Sequence, residues 1–295
     1  LKVQDGCDYS CSFCTIPFAR GRSRSQRIEQ TVAQARDVAA LGYKEIVLSG
    51  VNIGLYGQEH GETLLDLIQA LDGIEGVERI RISSIEPNLL TDEIISFVAS
   101  SSKFQPHFHI PLQSGDNFVL GKMRRRYRRE VYADRVRTIR EIMPHACIGV
   151  DVIVGFPAED EARFENTYTF LSELPVSYLH VFTYSERPDT TAVERLEIMG
   201  GKPVPKGERS RRNRMLRILS EKKRHAHYAA HQGEVRPVLW EGSAHDGVMH
   251  GYTDNYIKVQ RPFDPAFEGR IEHVRLGAFA EDGTLVAEDA SLMLL

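Results

Sequence analysis

Cysteine is scarce. The 295 residues hold four, and they are unevenly placed: Cys7, Cys11 and Cys14 crowd together, while Cys147 stands alone. Disulfide-stapled domains are small and secreted and spread their cysteines evenly, so that class is excluded. No apolar run reaches the roughly 18 residues of a membrane span, and no signal peptide opens the chain. The expectation is a cytoplasmic protein without a membrane partner. Basic charge is not in excess: the formal net charge is -4, so any nucleic-acid surface has to be local. There is no low-complexity tract. An initiating methionine is also missing. The strand-like opening Leu1-Lys2-Val3-Gln4 reads as a fragment, with an N-terminal piece either removed or left out of this sequence.

What is present is enough apolar residue, 42%, for a sizeable core. Single cores tend to split at roughly 250–300 residues, which predicts one large domain and a smaller one. Strand-like runs at residues 1–4, 44–50, 79–84, 107–112, 148–156 and 178–184 alternate with amphipathic stretches at 28–41, 64–71, 131–142 and 161–171. Alternation of this kind means βαβ units and a parallel sheet. Six repeats fall short of the eight of a closed barrel, so the fold class is α/β, a partial (βα)6 barrel. A Gly/Pro-rich linker begins near Gly200 and runs into a basic helical stretch, Arg209 to Arg224. From Gly233 onward short β runs between turns predict a small all-β barrel. The expected division is 1–200, 201–232 and 233–295.

The chemistry starts at Cys7-x-x-x-Cys11-x-x-Cys14, directly after the first strand. In parallel α/β folds active sites gather at the carboxyl ends of strands. Three thiolates hold three irons of a 4Fe–4S cube and leave the fourth without a protein ligand. An open metal position marks a reactive site rather than a structural one. The amino and carboxylate groups of S-adenosylmethionine suit that position. One electron passed to the sulfonium would then break a carbon–sulfur bond and leave a 5′-deoxyadenosyl radical, chemistry that side chains alone do not perform. Structural zinc with Cys147 as fourth ligand is the bland alternative. Zinc sites usually pair Cys-x-x-Cys knuckles, and Cys147 suits an inert core thiol better. An ordinary ferredoxin cluster would have a fourth cysteine nearby.

The spacing, with Phe13 before the last cysteine, is similar to the signature of the radical S-adenosylmethionine superfamily. The surrounding text resembles its methylthiotransferases: Asp5-Gly6-Cys7 through Arg20-Gly21, Ser83-Ser84-Ile85-Glu86-Pro87, His109-Ile110-Pro111-Leu112-Gln113-Ser114-Gly115, Asp151-Val152-Ile153-Val154-Gly155-Phe156-Pro157 and Phe182-Thr183-Tyr184-Ser185. The tail looks like a TRAM domain, a small RNA-binding β-barrel. Leu48-Ser49-Gly50-Val51-Asn52-Ile53-Gly54 is similar to the branch called MtaB, which acts on threonylcarbamoyladenosine beside the tRNA anticodon. The isopentenyladenosine branch and the branch acting on a ribosomal-protein aspartate are the near alternatives. The resemblance implies a second, auxiliary 4Fe–4S cluster on an N-terminal domain, for which this chain has no cysteines. It also implies the tRNA anticodon stem-loop as partner, an electron donor such as flavodoxin or ferredoxin, and a monomer.

Carried onto this sequence, the resemblance places Cys7, Cys11 and Cys14 on the cluster. It places Gly50, Asn52, Gln113, Ser114 and Arg125 at S-adenosylmethionine, with Ser83 and Glu86 as weaker members of the set. Arg125 pairs bidentately with the cofactor carboxylate in this reading. Asp151 interrupts an apolar strand and needs a partner, either the adenosine or an inward arginine; a satisfied structural carboxylate is the equal alternative. His107 and His109 look like metal ligands, but without an acidic or histidine partner at motif spacing they read as packing or substrate-bonding residues. Arg20, Arg22 and Arg24, with Arg212 and Lys222 of the basic helix, are expected on RNA phosphates. Tyr252, Asn255 and Tyr256 are expected to stack on or bond unpaired bases, with a place in the core as the alternative. A rival of another class is a non-catalytic RNA-binding protein with a sensory iron–sulfur cluster.

Overall fold

The computed structural model describes residues 1–200 and 202–290. Gly201 of the expected linker and residues 291–295 of the expected small barrel lie outside the described residues. Strands and helices alternate as β1 (Gln4–Asp5), α1 (Ile16–Arg20), β2 (Arg24–Ser25), α2 (Ile28–Ala40), β3 (Glu45–Leu48), α3 (Leu64–Asp72), β4 (Arg79–Ile82), α4 (Asp92–Ser100), β5 (His107–Gln113), α5 (Asn117–Lys122), α6 (Arg129–Ile142), β6 (Cys147–Val154), α7 (Glu161–Glu173) and β7 (Tyr178–Thr183). β3 pairs with β4, and β5 with β6 and β7, all parallel. Isolated parallel bridges, Lys2–Ser49 and Ser84–His109, join the leading segment to β3 and β4 to β5. The six segments run in sequence order, the partial barrel expected from the strand–helix alternation.

Period two assigns the faces. Ile80, Ile82, Phe108, Ile110, Leu112, Ile148, Val150, Val152 and Val154 are buried in the large core with the apolar stripes of α3, α4, α6 and α7. The intervening positions turn to the barrel's lumen, and most of its polar side chains stand there: Arg79, Arg81, His107, His109, Asp151 and His180. The helices start where side chains satisfy free N–H groups. Thr63 and Asp66 form a reciprocal cap on α3, Asp160 caps α7, and Thr91 caps α4, a helix that the apolar pattern alone did not single out.

After β7 come α8 (Thr191–Glu194), α9 (Leu196–Met199) and α10 (Lys206–Ala229). α10 covers the free edge of β7. Ser220 Oγ bonds both the N–H and the C=O of Leu179, and Asn213 donates to the Val181 carbonyl. Five strands then close a barrel in the order β10-β12-β11-β8-β9: β8 (Val235–His245), β9 (Val248–Thr253), β10 (Lys258–Pro262), β11 (Ile271–Phe279) and β12 (Leu285–Asp289). Trp240, Met249, Val259, Val274, Leu276 and Leu285 are among its core residues.

The small barrel sits under the amino ends of the parallel strands. Arg79 donates to the Tyr252 and Pro237 carbonyls, and Arg81 to those of Asp254 and Thr253, with Glu45 as counter-charge. The Arg-Ile-Arg-Ile alternation of β4 therefore has no solvent face: both arginines are buried in the joint between the two barrels. Among the described residues no helix is long and apolar enough to cross a membrane.

Candidate active site

The cysteine loop hangs between β1 and β2, which pair antiparallel and bring its two ends together. Gly6 has φ +70°, and a Cβ there would stand 2.0 Å from the Arg22 carbonyl oxygen, so only glycine closes this neck. The loop is tied down on its far side. Ser12 donates from Oγ to the Lys122 carbonyl and from N to that of Met123, and Ala192 N–H donates to the Ser12 carbonyl. Each cysteine sulfur receives an N–H: Cys7 from the Tyr9 backbone at 3.4 Å and from Asn52 Nδ2 at 4.0 Å, Cys14 from the Ile16 backbone at 3.4 Å, and Cys11 from Arg125 Nη1 at 3.2 Å. Burial pushes the Cys11 and Cys14 thiols up, while Arg125 pulls both toward thiolate. Three partly exposed sulfurs with N–H···S donors and a cation suit cluster thiolates, whose properties are set by such bonds. Cys147 is remote. It opens β6 at the amino end of the strands, 1% exposed, and burial pushes its thiol up to about 12. That position excludes a four-cysteine zinc site.

Arg125 is the hub beside the cysteines. It also binds Glu86 and donates from Nε to Tyr127 Oη, which reaches the Pro111 and Leu112 carbonyls at the end of β5. Burial raises the Glu86 carboxyl and Arg125 opposes that shift. The guanidinium expected on the cofactor carboxylate is thus already held between a protein carboxylate and a sulfur.

At the same strand ends Asn52 Oδ1, Ser83 Oγ and Gln113 Oε1 are buried without a hydrogen-bond partner, and Gln113 stands at φ 71°. Orphaned polar atoms at the strand ends that carry the cysteine loop fit a site for a polar cofactor. Gly50 has a packing role as well, since a Cβ would lie 2.7 Å from the Ile53 side chain and 3.0 Å from Gln4 Oε1. Gln4 accepts from the Val51 and Asn52 N–H groups and so shapes this loop. Ser114 departs from expectation. It is fully buried and bonded to Thr167 and to the Asp116 N–H, which leaves its hydroxyl engaged in the β5–α5 turn.

Asp151 has no arginine partner among the described residues; histidines face it instead. Its Oδ1 lies 2.9 Å from His109 Nε2 and 3.4 Å from His180 Nδ1. The missing acidic and histidine partners of His109 therefore exist, on β6 and β7, where no sequence spacing reveals them. Gln4, Tyr127 and His180 were also missed. Period two places Gln4 and His180 on the lumen face, and Tyr127 stands two residues after Arg125.

The basic residues divide. Arg20, Arg22 and Arg24 beside the cysteine loop are exposed, with Arg22 at 93% and Arg20 and Arg24 leaning on Asp5. Lys222 is exposed. Arg212 is not: its side chain is 4% exposed among Glu159, Glu161 and Glu208, where it anchors α10 and cannot reach a phosphate. Asn255 is likewise fully buried, bonded to the His145 carbonyl and to Thr253, so it belongs to the joint and not to an RNA surface. Tyr256 stacks between His107 at 4.1 Å and Tyr252 at 4.9 Å, in the same joint.

The sequence model of the Radical SAM superfamily matches residues 1–171. The threonylcarbamoyladenosine tRNA methylthiotransferase MtaB of Aquifex aeolicus is 42% identical over 88% of this chain and 61% of its own length. That of Bacillus subtilis is 41% identical over 94% and 61%. A tRNA-2-methylthio-N(6)-dimethylallyladenosine synthase of Staphylococcus aureus is 34% identical over 98% and 56%. The chain spans about three fifths of the length of these relatives. In fold it is similar to the radical S-adenosylmethionine methyltransferase TsrM from Kitasatospora setae, at TM-score 0.57 and 18% identity over 70% of this chain and 41% of that one. It is also similar to coproporphyrinogen III oxidase (HemN) from Escherichia coli, at TM-score 0.52 and 18% identity over 75% and 50%. With the three-cysteine loop seated at the carboxyl ends of a six-stranded partial barrel, and a family match over more than half its length, this chain belongs to the radical SAM superfamily.

Proposed function

We propose that the chain is the radical-generating and RNA-holding part of a tRNA methylthiotransferase acting on carbon 2 of N6-threonylcarbamoyladenosine at position 37. The carrying observation is the cysteine loop, with an N–H donor on every sulfur. The higher identity to the threonylcarbamoyladenosine enzymes than to the dimethylallyladenosine enzyme favours that substrate. When bound, the 4Fe–4S cluster supplies one-electron reductive cleavage of S-adenosylmethionine, which yields a hydrogen-abstracting radical. Cys7, Cys11 and Cys14 hold the cluster, and Arg125 offsets the charge of the thiolates. The Gly50–Asn52 loop, Ser83 and Gln113 offer the polar groups for S-adenosylmethionine, positioned by Gln4 and the Arg125–Glu86 pair. Arg20, Arg22, Arg24 and Lys222 hold the phosphates of an anticodon stem-loop.

In this reading residues 1–200 are the radical domain, 201–232 the linker and basic helix, and 233–295 the RNA-binding barrel. The sulfur comes from an auxiliary cluster outside these residues, since the chain's one remaining cysteine is Cys147. A small reductant such as flavodoxin or ferredoxin feeds a cytoplasmic monomer. The test is anaerobic reduction of the reconstituted full-length protein with S-adenosylmethionine, followed by nucleoside mass spectrometry of tRNA carrying each candidate base. Deoxyadenosine and a methylthio nucleoside support the reading. An intact cluster that yields neither product favours a sensory RNA-binding protein instead.

A further inference from the structure

Neither the cysteine loop nor the exposed arginines use the polar cluster at mid-height in the lumen. His109, Asp151 and His180 stand on β5, β6 and β7. Asp151 and His180 are register partners, and His109 is paired with Gly149 one step below. One carboxylate oxygen faces a ring nitrogen of each histidine, which favours a proton on that nitrogen and orients both rings. Burial works against the charge of Asp151, yet the two imidazoles hold its pKa down at about 2. Nδ1 of His180 is engaged by Asp151, its side chain is 53% exposed, and its Nε2 is left for a ligand.

The surroundings define where a ligand stops. Below the pair the lumen is filled by rings. Tyr178 lies 5.1 Å from His180, and His107 follows 6.4 Å from Tyr178, with Tyr256 and Tyr252 beneath it. Above lies the cysteine site, near enough that the charge of Asp151 is felt at Glu86. Phe182, two residues past His180 on the same face of β7, is 52% exposed, so the lumen is open at this height. A planar group entering it meets an apolar ring and an oriented imidazole side by side on β7.

Resting on the methylthiotransferase reading, we propose that His180, oriented by Asp151 and backed by His109, is the specificity-determining contact for the polar substituent on N6 of the substrate adenine. The names of the two groups of relatives differ in that substituent. Threonylcarbamoyl carries urea, hydroxyl and carboxylate groups, all able to bond an imidazole. Dimethylallyl is hydrocarbon and would leave the ring nitrogen dry and unpaired. Sites built to hydrogen-bond a substrate reject analogues lacking the partner, because their own polar groups are then stranded.

The test uses the full-length holoenzyme and two tRNAs, one bearing each substituent. His180→Phe keeps the ring stack and removes the nitrogen. It is expected to raise KM for threonylcarbamoyladenosine tRNA about tenfold, the scale of one lost bond to a polar group, with kcat within roughly twofold. His180→Gln is expected to recover part of that loss, and Asp151→Asn to resemble the Phe variant. A loss confined to kcat, equal losses on both tRNAs, or an unchanged KM overturns the proposal. So does a stoichiometric divalent metal beyond cluster iron that Asp151→Asn releases, since two histidines and a carboxylate also form a ligand set. A wild-type enzyme that modifies neither tRNA sinks the underlying reading itself, a result distinct from a silent His180 variant.

Discussion

Arg125 donates to Cys11 Sγ at 3.2 Å while its other terminal nitrogen grips Glu86. One buried guanidinium thereby links the cysteine loop to the end of β4. Lysine offers a single compact charge and cannot meet both partners at once. Arg125→Lys should assemble near-normal cluster iron but form 5′-deoxyadenosine at least about tenfold more slowly, a loss equivalent to about 1.4 kcal/mol. Arg125→Ala, which strands Glu86 in the interior, should cost about 3–5 kcal/mol of stability in urea unfolding. Wild-type turnover in the lysine variant would remove Arg125 from the site.

The joint between the two barrels makes a second prediction. Arg79 and Arg81 place four charge-assisted bonds on backbone carbonyls of the small barrel. Bonds to charged groups contribute about 1.5–3 kcal/mol each. Arg79→Met with Arg81→Met should therefore split one calorimetric transition into two, with the small barrel moving on its own. A single unshifted transition would show that the joint is held by its stacked rings.

His227 gives the pH dependence. Burial lowers its pKa from 6.5 to about 4, against the opposing pull of the Asn255 carbonyl beside its ring. Below pH 6.5 the unfolded chain binds a proton that the folded one refuses, so stability falls as pH drops from 6.5 to about 4. At neutral pH, where both states are unprotonated, the penalty is absent. The full effect is bounded at about 3 kcal/mol by linkage. His227→Gln should flatten this slope in urea titrations between pH 7 and 4; an unchanged slope would assign the acid sensitivity to another group.

The cysteine loop, six parallel segments and a β-barrel tail were legible because each is a local signal: ligand spacing, strand–helix alternation and short β runs between turns. What failed was partnership across strands. The arginines of β4 looked amphipathic because period two reports alternation, not what meets the polar face. Arg212 and Asn255 looked available to RNA because a charge or amide carries no mark of its burial. Asp151 found its histidines only through the register of β6 with β7 and the proximity of β5.

The two kinds of cysteine separate cleanly. Cys11→Ala removes a sulfur that Arg125 and the loop are built around, so iron, sulfide and deoxyadenosine should all be lost. Cys147→Ala, at the opposite end of the strands, removes a buried thiol and leaves a small cavity, costing about 1–2 kcal/mol. Its cluster absorbance and iron content should match wild type. Iron loss in the Cys147 variant would restore the four-cysteine site that the fold excludes.

The exposed arginines make the last prediction. Arg22 is 93% exposed beside the cysteine loop, where a phosphate can displace the weak pull of Asp8, whereas Arg212 is enclosed by three glutamates. Each phosphate neutralised by a cation changes the slope of log K against log salt by nearly one. Arg22→Ala should weaken tRNA binding and flatten that slope by up to about one unit, leaving thermal stability within about 0.5 kcal/mol, as for most surface changes. Arg212→Gln should do the reverse, lowering stability because Glu159 loses its partner in the interior, with an unchanged salt slope. If filter-binding titrations across salt put the slope change in the Arg212 variant, then α10 turns its basic face to RNA by releasing those glutamates, and the closed packing seen here is not the RNA-bound one.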